Sequence, residues 1–174
     1  MRLLIAGIGN IFRGDDAFGC ELARALAQRP WPEGVRLRDF GIRGFDLACA
    51  LVEDYDGAII LDAVSRGRVP GTLYLIEPEP VERFATVDPH SLTPEHVFRL
   101  AASLGELPLW LRVLGCEPES LGDEDEGAMG LSEVVQASVE VACGMVEEVV
   151  QEFLGLSAAK PTTGTLTTPT GETS

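Results

Sequence analysis

The stretch RLLIAGIGNIFRGDDAFG, residues 2–19, decides how the chain is read. Its first five residues are a short apolar run that ends at Gly7, the pattern of a buried strand. A glycine-rich loop, residues 7–14, follows. Asp15 and Asp16 then stand where a helix start favours acids, because unpaired backbone N–H groups and the helix dipole attract negative charge there. Phe18, Leu22, Ala25 and Leu26 recur at helical spacing behind them, predicting a helix over residues 15–28 that Pro30 and Pro32 close.

The same alternation continues along the chain. Residues 35–40 (VRLRDF) alternate and predict a second strand. A loop over residues 41–44 and a short helix over 45–52 follow. Residues 57–61 predict a third strand stopping at Asp62, and residues 72–77 (TLYLIE) a fourth. The link between these two shows no helical period. A parallel crossover needs about a dozen residues or more, so the fourth strand is expected to run antiparallel. Residues 78–89 read as a long loop. A helix is expected from Thr93 or Pro94 to about Leu104, then a fifth strand over 109–114, an acidic loop over 115–127 and a long helix over 131–154. Val134, Val135, Val141, Met145, Val149 and Phe153 are among that helix's apolar positions. The expectation is one three-layer α/β/α domain over residues 1–157, with a five-stranded, mostly parallel, mixed sheet. Residues 158–174 are Thr/Pro/Gly-rich and are expected to be a disordered tail.

Composition excludes several classes. Among 174 residues, 28 are acidic and 13 basic, a formal net charge of −15. Nucleic acids and anionic membranes need a basic footprint, so neither is an expected partner. No apolar stretch reaches the roughly 20 residues of a membrane span. The N-terminus runs straight into a strand-like segment without signal-peptide features, so a cytoplasmic protein is expected. Cys20, Cys49, Cys116 and Cys143 sit among apolar neighbours without C-x-x-C spacing, and read as small buried thiols.

In parallel sheets, ligands sit at the carboxyl ends of the strands. Three loops leave such ends: residues 7–16, residues 41–44, and the one beginning at Asp62. Asp16 and Asp62 are therefore expected to converge on one crevice. A dinucleotide fits poorly, because Phe12 stands where the third glycine of G-x-G-x-x-G belongs and acids open the helix. Two carboxylates with an imidazole suit a cation such as zinc, nickel or manganese. The imidazole candidates are His90, in Asp88-Pro89-His90-Ser91, and His96, inside the following helix. There is no G-x-S-x-G elbow, and no cysteine has an evident histidine partner. The run Asp123-Glu124-Asp125-Glu126 reads as a solvated loop without EF-hand spacing.

These motifs, in order, resemble the nickel–iron hydrogenase maturation proteases. The resembling pieces are Gly7-Ile8-Gly9-Asn10 with Gly14-Asp15-Asp16-Ala17-Phe18-Gly19; Asp39-Phe40-Gly41-Ile42-Arg43-Gly44; Ile59-Ile60-Leu61-Asp62-Ala63-Val64; Asp88-Pro89-His90-Ser91-Leu92; Gly115-Cys116-Glu117-Pro118-Glu119-Ser120; and Gly130-Leu131-Ser132. The chain departs in having Asp16 where some members carry Glu, and in its acidic residues 123–126. The resemblance implies endopeptidase action on the C-terminal extension of a hydrogenase large-subunit precursor after nickel insertion. It implies nickel supplied by the precursor, met by Asp16, Asp62 and His90 as metal-contacting and catalytic residues. Asn10, Gly41 and Gly44 are expected to hold substrate backbone, and Asp15 to be a free acid able to serve as base. A monomer is expected. The rival readings are a nickel-site checkpoint without peptidase chemistry and a small-ligand α/β hydrolase of another family.

Overall fold

Strand β1 (Leu3–Ile8) is buried along its whole length, which requires a place inside a sheet with both faces covered. The structure, a computed structural model, describes residues 1–82, 86, 88, 91–122 and 127–158. β1 pairs in parallel with β2 (Val35–Gly41) on one side and β3 (Gly57–Ala63) on the other. β5 (Trp110–Cys116) lies parallel beside β3, and β4 (Leu73–Ile76) runs antiparallel on the outer edge of β5. The order is β2-β1-β3-β5-β4, the expected five-stranded mixed sheet with one antiparallel strand.

Alternation along β1 sorts the core into two layers. Leu3 and Ile5 pack with α1 (Phe18–Leu26) and α4 (Glu133–Ala158); Leu4, Ala6 and Ile8 pack with α2 (Gly44–Leu51) and α3 (Pro94–Leu104). Phe18, Leu22 and Leu26 of α1 are fully buried, as their spacing predicts. Each such side chain contributes about 1.5–3 kcal/mol by leaving water. The N-terminus of α3 is formed by Thr93, whose Oγ1 accepts from the His96 N–H, with Pro94 in the first turn.

Several boundaries differ from expectation for identifiable reasons. β1 continues past Gly7 to Ile8, because both residues stay paired with β2. β3 passes through Asp62 to Ala63, whose ladder partners are Gly115 and Cys116. The helix expected from Asp15 is a 3-10 turn, Gly14–Ala17, followed by α1. In α4, Val135, Val149 and Phe153 are buried as expected and Met145 packs against the core, whereas Val134 and Val141 are exposed and Val139, Ala142, Val146 and Val150 are buried instead. Residues 123–126 and 159–174 lie outside the described residues.

The chain leaves β1 for β2 on one side and later returns to β3 on the other. The loops after β1 and β3 therefore part at the carboxyl ends of these two strands, the crevice where ligands bind such sheets. Backbone contact sets how low α1 lies over it. A β-carbon on Gly19 would overlap the carbonyl oxygens of Leu61 and Ile8, and one on Gly7 would overlap the Gly19 carbonyl. Gly19→Ala is therefore expected to cost about 3 kcal/mol, a fall of about 6–12 °C in Tm for a chain of this size. Gly144 and Gly155 lie inside α4, where a β-carbon meets nothing within 4 Å. Alanine at either should instead add about 0.5–1 kcal/mol. Thermal unfolding of the three variants checks both signs.

Candidate active site

The 3-10 turn presents its two acids in opposite directions, as adjacent positions in a helical turn require. Asp16 is half-buried, and its Oδ2 accepts the Asn10 N–H at 2.9 Å. That bond folds the loop after β1 back over the turn. Gly9 permits it: its φ is +142°, and a β-carbon there would overlap the Asp16 carbonyl oxygen. Asn10 Oδ1 accepts from the Phe12 N–H at 2.9 Å, closing an Asx turn.

Asp62, near the end of β3, is 7% exposed and shares one cleft of about 1070 Å³ with Asp16. Burial pushes the Asp62 carboxyl well above the usual carboxylate range, and the nearby charge of Asp16 pushes it further, against one backbone hydrogen bond from Ala63. The structure thus brings together Asp16 and Asp62 as expected from the strand order. His90 lies outside the described residues. His96 belongs to the α3 cap, with Nδ1 2.7 Å from Thr93 Oγ1 and 3.0 Å from Ser91 Oγ.

Asp15 is not the free acid expected of it. It is 1% exposed and turned away from the cleft, accepting hydrogen bonds from Glu119, Ser120 and Ser132. Burial alone would raise its pKa, but these donors outweigh burial and hold the carboxyl below its ordinary value. An ionised, fully bonded carboxylate has no spare basicity for proton transfer. Sequence reading also passed over Glu117, a second buried acid, whose signal is a lone acid directly after an apolar strand.

Gly41 has φ +55° and its carbonyl accepts the Gly9 N–H at 3.0 Å, so the loop after β2 abuts the loop after β1. A β-carbon on Gly44 would press on Leu92, a cleft-lining residue. Within the Gly41 loop, Arg43 donates to the Asp39 and Phe40 carbonyls, leaving Ile42 and Phe45 outward at 66% and 60% exposure. Phe12, 60% exposed, sits on the neighbouring loop, where its carbonyl accepts the Ala128 N–H beside the 72%-exposed Met129. Three abutting loops beside the cleft thus carry exposed apolar side chains, which do not themselves line it, a patch of the kind that marks contact with another molecule.

Cys20, Cys116 and Cys143 offer no nucleophile. Burial pushes the Cys20 thiol far up, Cys116 up to about 11 and Cys143 upward, so none carries appreciable thiolate.

A mixed five-stranded α/β fold of this kind is found in a known protease family. The sequence profile of the hydrogenase maturation proteases matches residues 20–149. The chain belongs to the hydrogenase maturation protease family. It is 35% identical over 156 residues to the hydrogenase 2 maturation protease of Escherichia coli K12, covering 87% of this chain and 92% of that protein. It is 37% identical over 163 residues to the hydrogenase expression/formation protein HoxM of Azotobacter vinelandii, covering 91% and 77%. The hydrogenase maturating endopeptidase HybD from E. coli has a similar structure, with TM-score 0.73 and 33% identity, over 87% of this chain and 93% of that one.

Asp62 yields a stability test. Its raised pKa means that the folded chain holds a proton more tightly than the unfolded one. Its contribution is therefore fully present below about pH 4 and is lost as pH rises through the folded pKa. Asp62→Asn removes that loss. The variant's Tm should match the wild type at about pH 4 and exceed it by a few degrees once Asp62 ionises, about 2–4 °C for each kcal/mol. Paired thermal melts across pH read the difference.

Proposed function

We propose that this protease removes the C-terminal extension of a nickel–iron hydrogenase large-subunit precursor after nickel insertion, acting as a cytoplasmic monomer on a nickel ion the precursor carries. The observation that carries the reading is Asp16 sharing one cleft with a buried Asp62, in a chain of this family. A small-ligand hydrolase has little use for exposed Phe12, Ile42, Phe45 and Met129 on the loops beside that cleft; a protein substrate does. Four free cysteines fit a reducing compartment.

The donor set fits a divalent cation. Two carboxylates that destabilise each other are hard oxygen donors, and a cation between them reverses the repulsion that raises the Asp62 pKa. His90 is the third ligand in this reading. Nickel held by the precursor supplies Lewis acidity toward the scissile carbonyl or a water. The chain's own residues do the rest. Burial makes Asp62 hold its carboxyl proton more tightly than an exposed acid does, and a cation in the cleft would favour its release. Asp16, held by the Asn10 N–H, offers its other oxygen to the cleft. The 9–13 and 41–45 loops orient the arriving chain, with Asn10, Gly41 and Gly44 shaping the backbone they present.

Incubating the precursor with the protein and weighing the large subunit by mass spectrometry tests the reading. Nickel-loaded precursor should lose its extension and nickel-free precursor should not. Binding without a mass change would instead indicate a checkpoint without peptidase chemistry. Asp16→Ala and Asp62→Ala should each lower the cleavage rate by about a hundredfold or more while the chain stays folded. The paired exchange Ile42→Ser/Phe45→Ser should raise KM with kcat nearly unchanged, because it removes contacts made equally in the ground and transition states.

A further inference from the structure

Asp16 and Asp62 stand on separate loops, and one distant segment between β5 and α4, described over residues 117–122 and 127–132, grips both. On the Asp16 side, the adjacent Asp15 receives four hydrogen bonds from that segment. Its Oδ1 accepts the Ser132 N–H at 2.7 Å, and its Oδ2 accepts the Glu119 N–H at 2.9 Å, the Ser120 N–H at 3.1 Å and the Ser132 hydroxyl at 2.9 Å. The Asp15 N–H donates back to the Ser120 carbonyl at 3.0 Å, and the Gly14 N–H to the Ala128 carbonyl at 2.8 Å. On the Asp62 side, Glu117 of the segment is 5% exposed. It accepts the Arg66 N–H at 2.8 Å, the Gly67 N–H at 3.0 Å and the Tyr74 hydroxyl at 2.6 Å. Arg66 and Gly67 lie on the loop that continues from Asp62, and the Val64 N–H donates to the Cys116 carbonyl at 2.9 Å.

We propose that Asp15 and Glu117 are positioning residues that turn residues 117–122 and 127–132 into a brace setting the separation of Asp16 and Asp62, a role that rests on reading those two acids as the reacting pair. Neither Asp15 nor Glu117 is among the residues lining the cleft, so they act through the loops they hold. Carboxylates suit the task because an ionised one accepts several N–H and O–H donors at once and binds each more strongly than a neutral acceptor. A brace is needed because Asp16 and Asp62 stand on separate loops, and a displacement of about 1 Å at a reacting group is enough to cost two orders of magnitude in rate.

Two mild variants test this. Ser132→Ala removes one side-chain donor to Asp15, and Tyr74→Phe one donor to Glu117; each leaves the backbone donors in place. Two readouts separate positioning from bulk stability: amide exchange in the free chain, and kcat against KM for precursor cleavage, both well below Tm. Ser132→Ala should speed exchange of the Asn10 amide, which is bonded to Asp16, by about tenfold, and Tyr74→Phe should do so for Arg66 and Gly67. Each should lower kcat by about tenfold with KM within about twofold. Asp15→Asn and Glu117→Gln should do both more strongly wherever they fold. A lower Tm with unchanged exchange at these amides, or with unchanged kcat, would overturn the brace. A wild type that does not cut the precursor would overturn the proposed function, and the exchange measurements would still decide the brace.

Discussion

At Gly19, helix α1 meets the sheet backbone to backbone. Gly19 touches the carbonyls of Leu61 and Ile8, and Gly7 meets Gly19 from below, with no side chain between. Protein layers separated by ordinary side chains stand about 10 Å apart; a contact between bare backbones brings them closer. The 3-10 turn at the head of α1 is thereby lowered onto the carboxyl ends of β1 and β3. Asp16 comes within electrostatic range of Asp62 only because the helix that carries its turn can descend this far. The glycines at 7, 9 and 19 are therefore conditions of the site: two set the height of the helix, and Gly9 lets the loop pass over the Asp16 carbonyl.

The described structure buries three acids, Asp15, Asp62 and Glu117, and treats them in two ways. Asp15 and Glu117 are met by backbone amides and hydroxyls, and both carboxyls are held below their ordinary pKa: for Asp15 the donors overcome burial, and for Glu117 the Tyr74 hydroxyl leads, helped by the Arg66 N–H. Asp62 has one backbone donor and a like charge nearby, and its pKa rises. A buried carboxyl costs several kcal/mol unless donors or a counter-charge compensate. Compensation is complete at the two acids that hold loops together and withheld at the one that faces the cleft. Such a contrast among neighbouring carboxyls is how titratable groups with chemical work differ from those with structural work.

Much of this was legible in the residues. The apolar runs of β1 and β3 and the helical spacing of Phe18, Leu22 and Leu26 gave the layers. The missing helical period between β3 and β4 gave the antiparallel strand. The convergence of Asp16 and Asp62 followed from strand order. Other features were hidden because they depend on distant partners. Gly7 looks like a strand end until Gly19 is seen against it. Asp15 looks like an ordinary helix-start acid, since nothing near it in sequence announces the donors of Glu119, Ser120 and Ser132. Glu117 owes its partners to a loop some fifty residues earlier. The buried face of α4 was legible at Val135, Val149 and Phe153 but not at Val134 and Val141, because valines are spread around the helix and only contact with β5 and α1 chooses Val135 over Val134.

The two halves of the site divide recognition between them. Apolar side chains on the loops beside the cleft gain free energy from any complementary surface, in proportion to the area they bury, and discriminate weakly. The Asp16–Asp62 pair works the other way. It is costly to the free chain unless Asp62 holds a proton, and in the proposed function a positive charge seated between the carboxylates lowers that cost. A partner that covers these loops without bringing a cation leaves Asp62 dehydrated still further. A partner that brings one removes the penalty and gains attraction to both acids. The same burial that makes the empty site unfavourable thus sharpens the difference between loaded and unloaded partners. Discrimination grows with how well the cleft excludes water rather than with how many ligands the chain itself provides.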